Sequence, residues 1–517
     1  MPNAMDDHQQ TEQSPPPAAQ ELNEVQHRAV NELLRVSPVA DDLASRFQRA
    51  GHSLALVGGS VRDALLGRLG NDLDFTTDAR PEEILALVRP WADAVWDVGI
   101  AFGTVGCKKY VPGPEQGSEA PEAAVPRGSE GGTDRQCFDI EITTYRSEAY
   151  DRTSRKPEVS YGAVIQDDLV RRDFTVNAMA VALPEKVFID PHGGLNDLSE
   201  RVLRTPGTPE ASFSDDPLRM LRAARFAAQL DFEVAGDVVA AMQAMAERIE
   251  IVSAERVRDE FSKLILASRP RKGLRLLVDT GLAQRTVPEV PALRLERDEH
   301  HRHKDVYEHS LIVLEQAIDL EEDGPDLTLR LAALLHDIGK PRTRRFESDG
   351  RVSFHHHEVV GAKMARKRMT ALKYSNELVK DVSRLVELHL RFHGYGTGEW
   401  TDSAVRRYVR DAGQLLPRLH KLTRSDCTTR NKRKAAALSR AYDGLEERIA
   451  RLQEQEELEA IRPDLNGNEI MEVLGVPPGP VVGRAYRQLL ELRLEKGPME
   501  RHEAVAALKE WWANQQG

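Results

Sequence analysis

Paired carboxylates and an ordered set of histidines carry the chemistry this sequence offers. Asp72 and Asp74 stand two apart in NDLDFTTD. On an extended strand that spacing puts both on one face, between apolar Leu73 and Phe75. Carboxylates held together repel unless a cation lies between them, and ligation by oxygen alone suits Mg2+, which also binds phosphate oxygens. Just upstream runs Gly58-Gly59-Ser60-Val61-Arg62-Asp63. A glycine turn there brings backbone N–H groups and Ser60 towards a triphosphate, and Arg62 adds positive charge.

Two further segments point the same way. In RRDFTVNA, read as the start of a helix, Asp173 and Asn177 lie four apart on one face, suited to a ribose hydroxyl, while Arg172 meets phosphate. In DDPLR, Asp216 and Arg219 are three apart at a helix start. There they offer one acceptor edge and one forked donor edge, enough to read a base. Each segment alone also fits a plainer reading. An Asp-x-Asp can be a solvated strand edge, RRDFTVNA a helix start with an ion pair, and Asp215 an N-cap before an ordinary salt bridge.

A second constellation follows. His336-Asp337 closes the apolar helix LTLRLAALLHDIGK, His309 lies upstream in HKDVYEHSL, and His355-His356-His357-Glu358, His389, His393 and Asp426 come after. Neutral imidazoles and carboxylates on helices converge well on a first-row divalent metal. One isolated core histidine is more often structural; the ordered set is what points to a metal.

The elements that position these groups are legible in part. Residues 26–50 read as an amphipathic helix carrying Val30, Leu33, Leu34, Leu43 and Phe47. SLALVGG reads as a buried strand and turn, VRDALLG as a short helix, NDLDFTTD as a strand, and PEEILALV as a helix opened by Pro81. AFGTVGCKKYV and CFDIEITTYR read as two further strands. The segment between them, 111–135, is rich in Gly, Pro, Ser and Glu and is expected to be a disordered insertion at a hairpin tip. From about residue 210 onward the pattern is almost wholly helical.

With 517 residues, the chain is expected to form several domains. Apolar residues at 40% and charged residues at 30% are the proportions of a soluble globular protein. No apolar run is long enough to span a membrane, the N-terminus lacks the pattern of a signal peptide, and the three cysteines have no paired metal-type spacing. These features are expected of a cytoplasmic protein with a floppy tail over 1–25. The net charge of −12 argues against bulk, non-specific nucleic-acid binding but leaves room for a local basic groove.

The segments LVGGSVRDALLGRLGNDLDFTTDA, RRDFTVNAMA, DPHGGLNDL and DDPLRMLRAARFA, in this order and spacing over about residues 40–270, resemble the bacterial class II tRNA nucleotidyltransferase and poly(A) polymerase family. The resemblance implies an α+β fold: a polymerase-β-like head of mixed sheet and helices, then a mostly α-helical neck, HD and C-terminal domains. It implies metal-binding, catalytic roles for Asp72 and Asp74 with Mg2+, and ribose and triphosphate contacts for Arg172, Asp173 and Asn177. Asp216 and Arg219 correspond to an amino-acid template for incoming CTP or ATP, with Asp215 at its first position, where the family usually has Glu. Glu141 in FDIEITTYR stands as a third acidic group, and RSEAYDRTSRKPEVSYG is not shortened as in enzymes that add only CC. The implied partners are tRNA, ATP and CTP, with no membrane; the sequence does not fix the oligomeric state.

Residues 300–430 resemble the HD superfamily of metal-dependent phosphohydrolases. That likeness implies a divalent transition metal such as Mn2+, Ni2+ or Co2+ held by His309, His336, Asp337 and Asp426, with His357 and His389 as further ligands or phosphate contacts. The expected division is a head over 26–205, a neck with the template helix over 206–295, an HD domain over 296–430 and a helical tRNA-binding body over 431–517. The leading expectation is CCA addition, or addition of its terminal A. A poly(A) polymerase is the rival within the family, and an HD phosphohydrolase with a nucleotide-binding head is the rival outside it. A pure RNA-binding scaffold fits least, given the paired carboxylates.

Overall fold

The structure, a computed structural model, describes residues 38–68, 70–96, 100, 103–112, 135–145, 164–295, 305–348, 352–392, 400–429, 431–456 and 462–516. The tail over 1–25, nearly all of the 111–135 insertion, the loop RSEAYDRTSRKPEVSYG and His393 lie outside them. The chain forms two compact units that divide between Arg248 and Ile249, so the expected neck over 206–295 has residues in both.

In the first unit, α1 (Pro38–Arg49) buries Leu43 and Phe47, the described part of the helix expected over 26–50. The apolar run LALV forms β1 (Leu54–Val57), buried at every position, and α2 (Gly59–Leu65) follows it directly. β2 (Asp72–Thr77) pairs antiparallel with β1, and α3 (Pro81–Val88) starts with Pro81 where a missing N–H costs nothing. β3 (Ala94–Trp96), β4 (Thr104–Pro112) and β5 (Arg135–Thr144) continue the sheet, with β4 and β5 antiparallel as the hairpin reading expects. After the short α4 (Ile165–Val170) come β6 (Ala180–Leu183) and β7 (Val187–Ile189). The seven strands run in the order β3-β4-β5-β2-β1-β6-β7. β2, bearing the aspartates, is central, flanked by antiparallel β1 and parallel β5.

Two local readings are corrected. RRDFTVNA does not open an α-helix: only Thr175–Asn177 turn, as one 3-10 turn, before the chain enters β6. Asp215 is not an N-cap. It ends α5 (Pro209–Asp215), Asp216 is extended, and its Oδ1 accepts the Leu218 N–H at the start of α6 (Leu218–Leu230).

The second unit is almost entirely helical, apart from the short pair Arg345–Phe346 and Val352–Ser353. α7 (Ala254–Ile265), α8 (Val306–Ile318), α9 (Leu327–Leu335), α10 (His357–Ala371), α11 (Asn376–Leu388) and α12 (Leu416–Ser425) include the elements that carry the histidines. α13 (Lys432–Glu456) buries one stripe, Tyr442, Leu445, Ile449 and Leu452, at helical spacing. A separate small core of Leu465, Ile470, Ala485, Leu489, Ala504 and Leu508 holds the last three helices together.

One buried cation ties this unit together. Arg330 on α9 is 3% exposed; its Nε and Nη2 meet Glu321 at 2.8 and 2.6 Å, and its Nη1 donates to the carbonyls of Ile265 and Ala267, both at 2.9 Å. Removing one partner of a buried pair strands the other charge, which typically costs about 3–5 kcal/mol. Arg330→Met is therefore expected to lower the urea midpoint of the helical circular-dichroism signal; an unchanged midpoint would show the network to be dispensable.

Candidate functional sites in the head and the histidine cluster

The head site is built on the junction of β1, α2 and β2. Gly58 has φ of +70°, a conformation natural to glycine, and a Cβ there would stand 2.8 Å from Arg172 Nη1. Its N–H donates to the Met179 carbonyl. Ser60 proves to be a positioning residue: its Oγ donates to the Asp72 carbonyl at 3.1 Å and accepts the Asp74 N–H at 3.0 Å. That hydroxyl ties the glycine turn to the backbone of the acidic strand.

β2 and β5 run parallel with Asp72 opposite Asp139 and Asp74 opposite Glu141. Partnered residues in a sheet present their side chains on one face, so Glu141 joins Asp72 and Asp74 there. Asp72 and Glu141 are exposed and Asp74 half-buried. Burial pushes the Asp74 carboxyl up, Arg172 draws it back, the Asp72 charge raises it again, and Arg62 and Arg222 oppose that rise. Desolvation, followed by the charges of Asp74 and Asp72, likewise raises Glu141. Three carboxylates on one face form an oxygen-only donor set whose repulsion a hard divalent cation would relieve, so these residues fit Mg2+.

Behind them runs a chain of buried polar groups. Arg62, 5% exposed, donates from Nη1 to Asn177 Oδ1 at 2.5 Å and holds Asp63 with Nε and Nη2. Asn177 Nδ2 donates to Asp173 Oδ1 at 2.9 Å, and the Phe174 N–H reaches the same oxygen at 2.8 Å. Arg222 Nε and Nη2 lie 2.7 and 2.6 Å from Asp173 Oδ2. Burial would push the Asp173 carboxyl up, but Arg222 and Asn177 hold it down at about 2. Asn177 and Asp173, expected at the nucleotide, are both buried and take part in this internal chain. Arg172 holds Asp168 with Nη2 at 3.1 Å. Arg219 Nη1 bonds Ser212 Oγ at 2.9 Å and its Nη2 bonds the Arg171 carbonyl at 2.5 Å. Sequence reading missed Arg222; its signal was the i, i+3 spacing from Arg219 on one helix.

The histidine cluster draws five helices of the second unit together, α8 to α12. His309 Nε2 lies 2.9 Å from Asp426 Oδ1 and 3.3 Å from His336 Nε2, and His336 Nε2 lies 3.2 Å from Asp337 Oδ2. The other oxygen of Asp337 faces His357 Nε2 at 3.2 Å and His389 Nε2 at 3.9 Å. Two ligand groups result, His309–His336–Asp426 and Asp337–His357–His389, with the two oxygens of Asp337 turned one to each. All six sequence-predicted residues are brought together.

The remaining ring nitrogens explain the convergence. His336, His357 and His389 point Nδ1 at the carbonyls of Ala333, Phe354 and Val386, at 2.8, 2.8 and 2.7 Å, each three residues back. His309 Nδ1 meets Thr428 Oγ1 at 3.1 Å. A carbonyl only accepts, so Nδ1 of His336, His357 and His389 carries a proton and Nε2 is the atom turned to the centre, an orientation suited to a metal-binding imidazole. Nε2 of His357 and of His389 is buried without a hydrogen-bond partner among the described residues, which also fits a cation. Burial and neighbouring His336 keep His389 neutral, down at about 3. Gly339, two residues beyond Asp337, packs on α10: a Cβ there would meet the His357 carbonyl oxygen at 2.1 Å. Thr428 and Gly339 had no assigned role in the sequence reading, since neither ligates.

Comparison with known proteins matches the regions of the chain that carry the two sites. The profile of the poly A polymerase head domain matches residues 54–204, that of a probable RNA- and SrmB-binding site of polymerase A matches 231–293, and that of the HD domain matches 306–431. An A-adding tRNA nucleotidyltransferase of Deinococcus radiodurans is 37% identical over 355 residues, covering 67% of this chain and 79% of that protein. A CCA-adding enzyme of Streptococcus suis is 28% identical over 89% of this chain and 93% of its own length. In fold, the chain is similar to the crystal structure of Bacillus stearothermophilus CCA-adding enzyme in complex with CTP, with a TM-score of 0.63 and 22% identity over 96% of this chain and 99% of the other.

The split ligand set has a measurable consequence. In a chain carrying Asp72→Asn and Asp74→Asn, calorimetric titration with Mn2+ is expected to give two bound ions, and His357→Ala to leave one. Thr428→Val, which removes the bond that orients His309, is expected to weaken binding roughly 10–100-fold. Two ions retained by His357→Ala would refute the assignment of His357 as a ligand.

Proposed function

The chain belongs to the tRNA nucleotidyltransferase family, and on that footing we propose that it adds CCA, or its terminal A, to tRNA 3′ ends from CTP and ATP without a nucleic-acid template. The observation that carries this reading is the β2–β5 register, which sets Glu141 beside Asp74 on the face that also bears Asp72. The proposed division of labour is a head over 26–205, a neck over 206–295, an HD domain over 296–430 and a tRNA-binding body over 431–517. No helix among the described residues is long and apolar enough to cross a membrane.

In this reading Asp72 and Asp74 would hold Mg2+, which would supply charge neutralisation at the phosphates and acidity to the RNA 3′-hydroxyl. The protein's own part is placement. The first N–H groups of α2, which a helix leaves without intrahelical partners, favour a triphosphate next to the Gly58-Gly59 turn. Arg172, which lowers the Asp74 carboxyl, adds positive charge for the same phosphates. Asp216 and Arg219 present an acceptor and a forked donor to the base, with Arg219 held by Ser212 and Arg171. Phosphoryl transfer asks little covalent chemistry of a protein, so geometry and charge supply most of the rate.

The histidine cluster supports a second activity, hydrolysis of a phosphoester. His309, His336, Asp337 and Asp426, with His357 and His389, would hold divalent transition metal such as Mn2+, Ni2+ or Co2+, which supplies an activated water.

Incubation of the protein and Mg2+ with tRNAs ending before CCA, after C and after CC, each with CTP, ATP or both, tests the reading. Ordered addition of C, C and A that then stops is expected. Addition of A to the CC-ending tRNA alone would make the chain an A-adding specialist, and long A tails would make it a poly(A) polymerase. Asp72→Asn/Asp74→Asn should cost on the order of 1,000-fold or more, since such charge stabilisation is worth several kcal/mol. Asp337→Ala should abolish phosphoester hydrolysis and spare nucleotide addition; the reverse result would make the histidine cluster the main active centre.

A further inference from the structure

α6 is fastened to the segment Arg171–Asp173 at two points one turn apart. Arg219 Nη2 donates to the Arg171 carbonyl at 2.5 Å, and Arg222 Nε and Nη2 lie 2.7 and 2.6 Å from Asp173 Oδ2. From Asp173 the hydrogen-bonded chain continues through Asn177 to Arg62 on α2. α2 in turn carries Ser60, whose hydroxyl bonds the backbone at Asp72 and Asp74. Arg62 and Arg222 also lie against the Phe226 ring of α6, 5.2 and 5.5 Å from its centroid, and Phe174 meets that ring edge-on at 5.8 Å. A continuous path of hydrogen bonds and packed rings thus joins the helix bearing Arg219 to the strand bearing the acidic pair.

We propose that Arg222 is a positioning residue for nucleotide choice: by holding α6 to Asp173 it fixes where the Asp216–Arg219 edge stands relative to Asp72 and Asp74. The inference rests on the transferase reading above. Packing seats α6 in the core, and the Arg219 and Arg222 contacts fix it against Arg171–Asp173 at two points, where Arg219 alone would leave more latitude. A base edge is read by hydrogen bonds whose strength falls steeply with angle and distance, so a pivot blurs the choice between C and U or A and G. Arg222 reaches no base in this scheme. It acts through a buried carboxylate with both oxygens engaged, Oδ1 by Phe174 N and Asn177 and Oδ2 by Arg222. A lysine keeps the charge but lacks the two-nitrogen grip on one oxygen.

The test is made on the full chain, measuring incorporation of CTP against UTP and ATP against GTP on tRNAs that end at each step. Arg222→Gln is expected to lower these ratios about tenfold, the size of losing one charge-assisted hydrogen bond, with a smaller fall in kcat for the correct nucleotide. Arg222→Lys should recover part of the selectivity. Arg225→Gln, on the same helix and stacked on Phe226 at 3.9 Å, is the control for general loosening of α6. Should Arg222→Gln fail to fold by thermal melting, Arg222→Lys carries the test with an intermediate loss expected. Lower kcat with unchanged ratios would overturn the proposal, as would an equal loss in Arg225→Gln. A change confined to ribose against deoxyribose would overturn it too, because Arg222 would then act only on a sugar contact. Parent protein that incorporates nothing overturns the transferase reading and this inference together; active parent protein with unaltered selectivity in the variants overturns the inference alone.

Discussion

A buried, ionised carboxylate organises the head. Asp173 is 7% exposed, and such burial on its own would expel the charge or protonate the group. It stays ionised because Arg222 and Asn177 hold it down at about 2, below the ordinary carboxylate value of 3.8. The sign follows directly: its contribution to stability is complete above the unfolded value and is lost only as pH falls towards about 2. Over the neutral range the charge is permanent. Segments remote in sequence, RRDFTVNA, α2 and α6, are thereby held to one another through Asp173, Asn177 and Arg62.

The acidic face shows the opposite use of charge. β2 and β5 hold Asp72, Asp74 and Glu141 in register, where burial first and then neighbouring carboxylates raise Asp74 and Glu141. The Ser60 bonds and the sheet ladder fix the backbone of that face. Arg62 is engaged by Asp63 and Asn177, and the partly exposed Arg222 by Asp173. In the histidine cluster, backbone carbonyls and Thr428 occupy every Nδ1, so the four Nε2 atoms face the centre.

Much of the site was legible because chemistry-bearing residues sit close together in the chain. Asp72 and Asp74 follow from strand periodicity, and the weakly signalled Glu141 gains its place from the parallel register with Asp74. Ser60 and Asn177 were read as substrate contacts because side-chain type does not tell whether a polar group meets a ligand or another part of the protein. The structure engages both internally, Ser60 with the backbone of β2 and Asn177 with Arg62 and Asp173. RRDFTVNA read as a helix start because Asp173 and Asn177 are four apart; in the structure a single 3-10 turn suffices to bring them together before β6 begins.

The sequence by itself determined the residue types, most local elements and the two candidate donor sets, since periodicity, turn residues and residue type are read directly from the chain. Only the tertiary structure decided which buried charges pair across distance, as Arg222 with Asp173 and Arg330 with Glu321 do. It alone decided that the two oxygens of Asp337 face different ligand groups and that seven strands take the order they do. The physical reason is the same in each case: pairing and ligation depend on separations of a few ångströms between segments that lie far apart along the chain. Those separations are set by packing of the whole and have no signature in the local sequence.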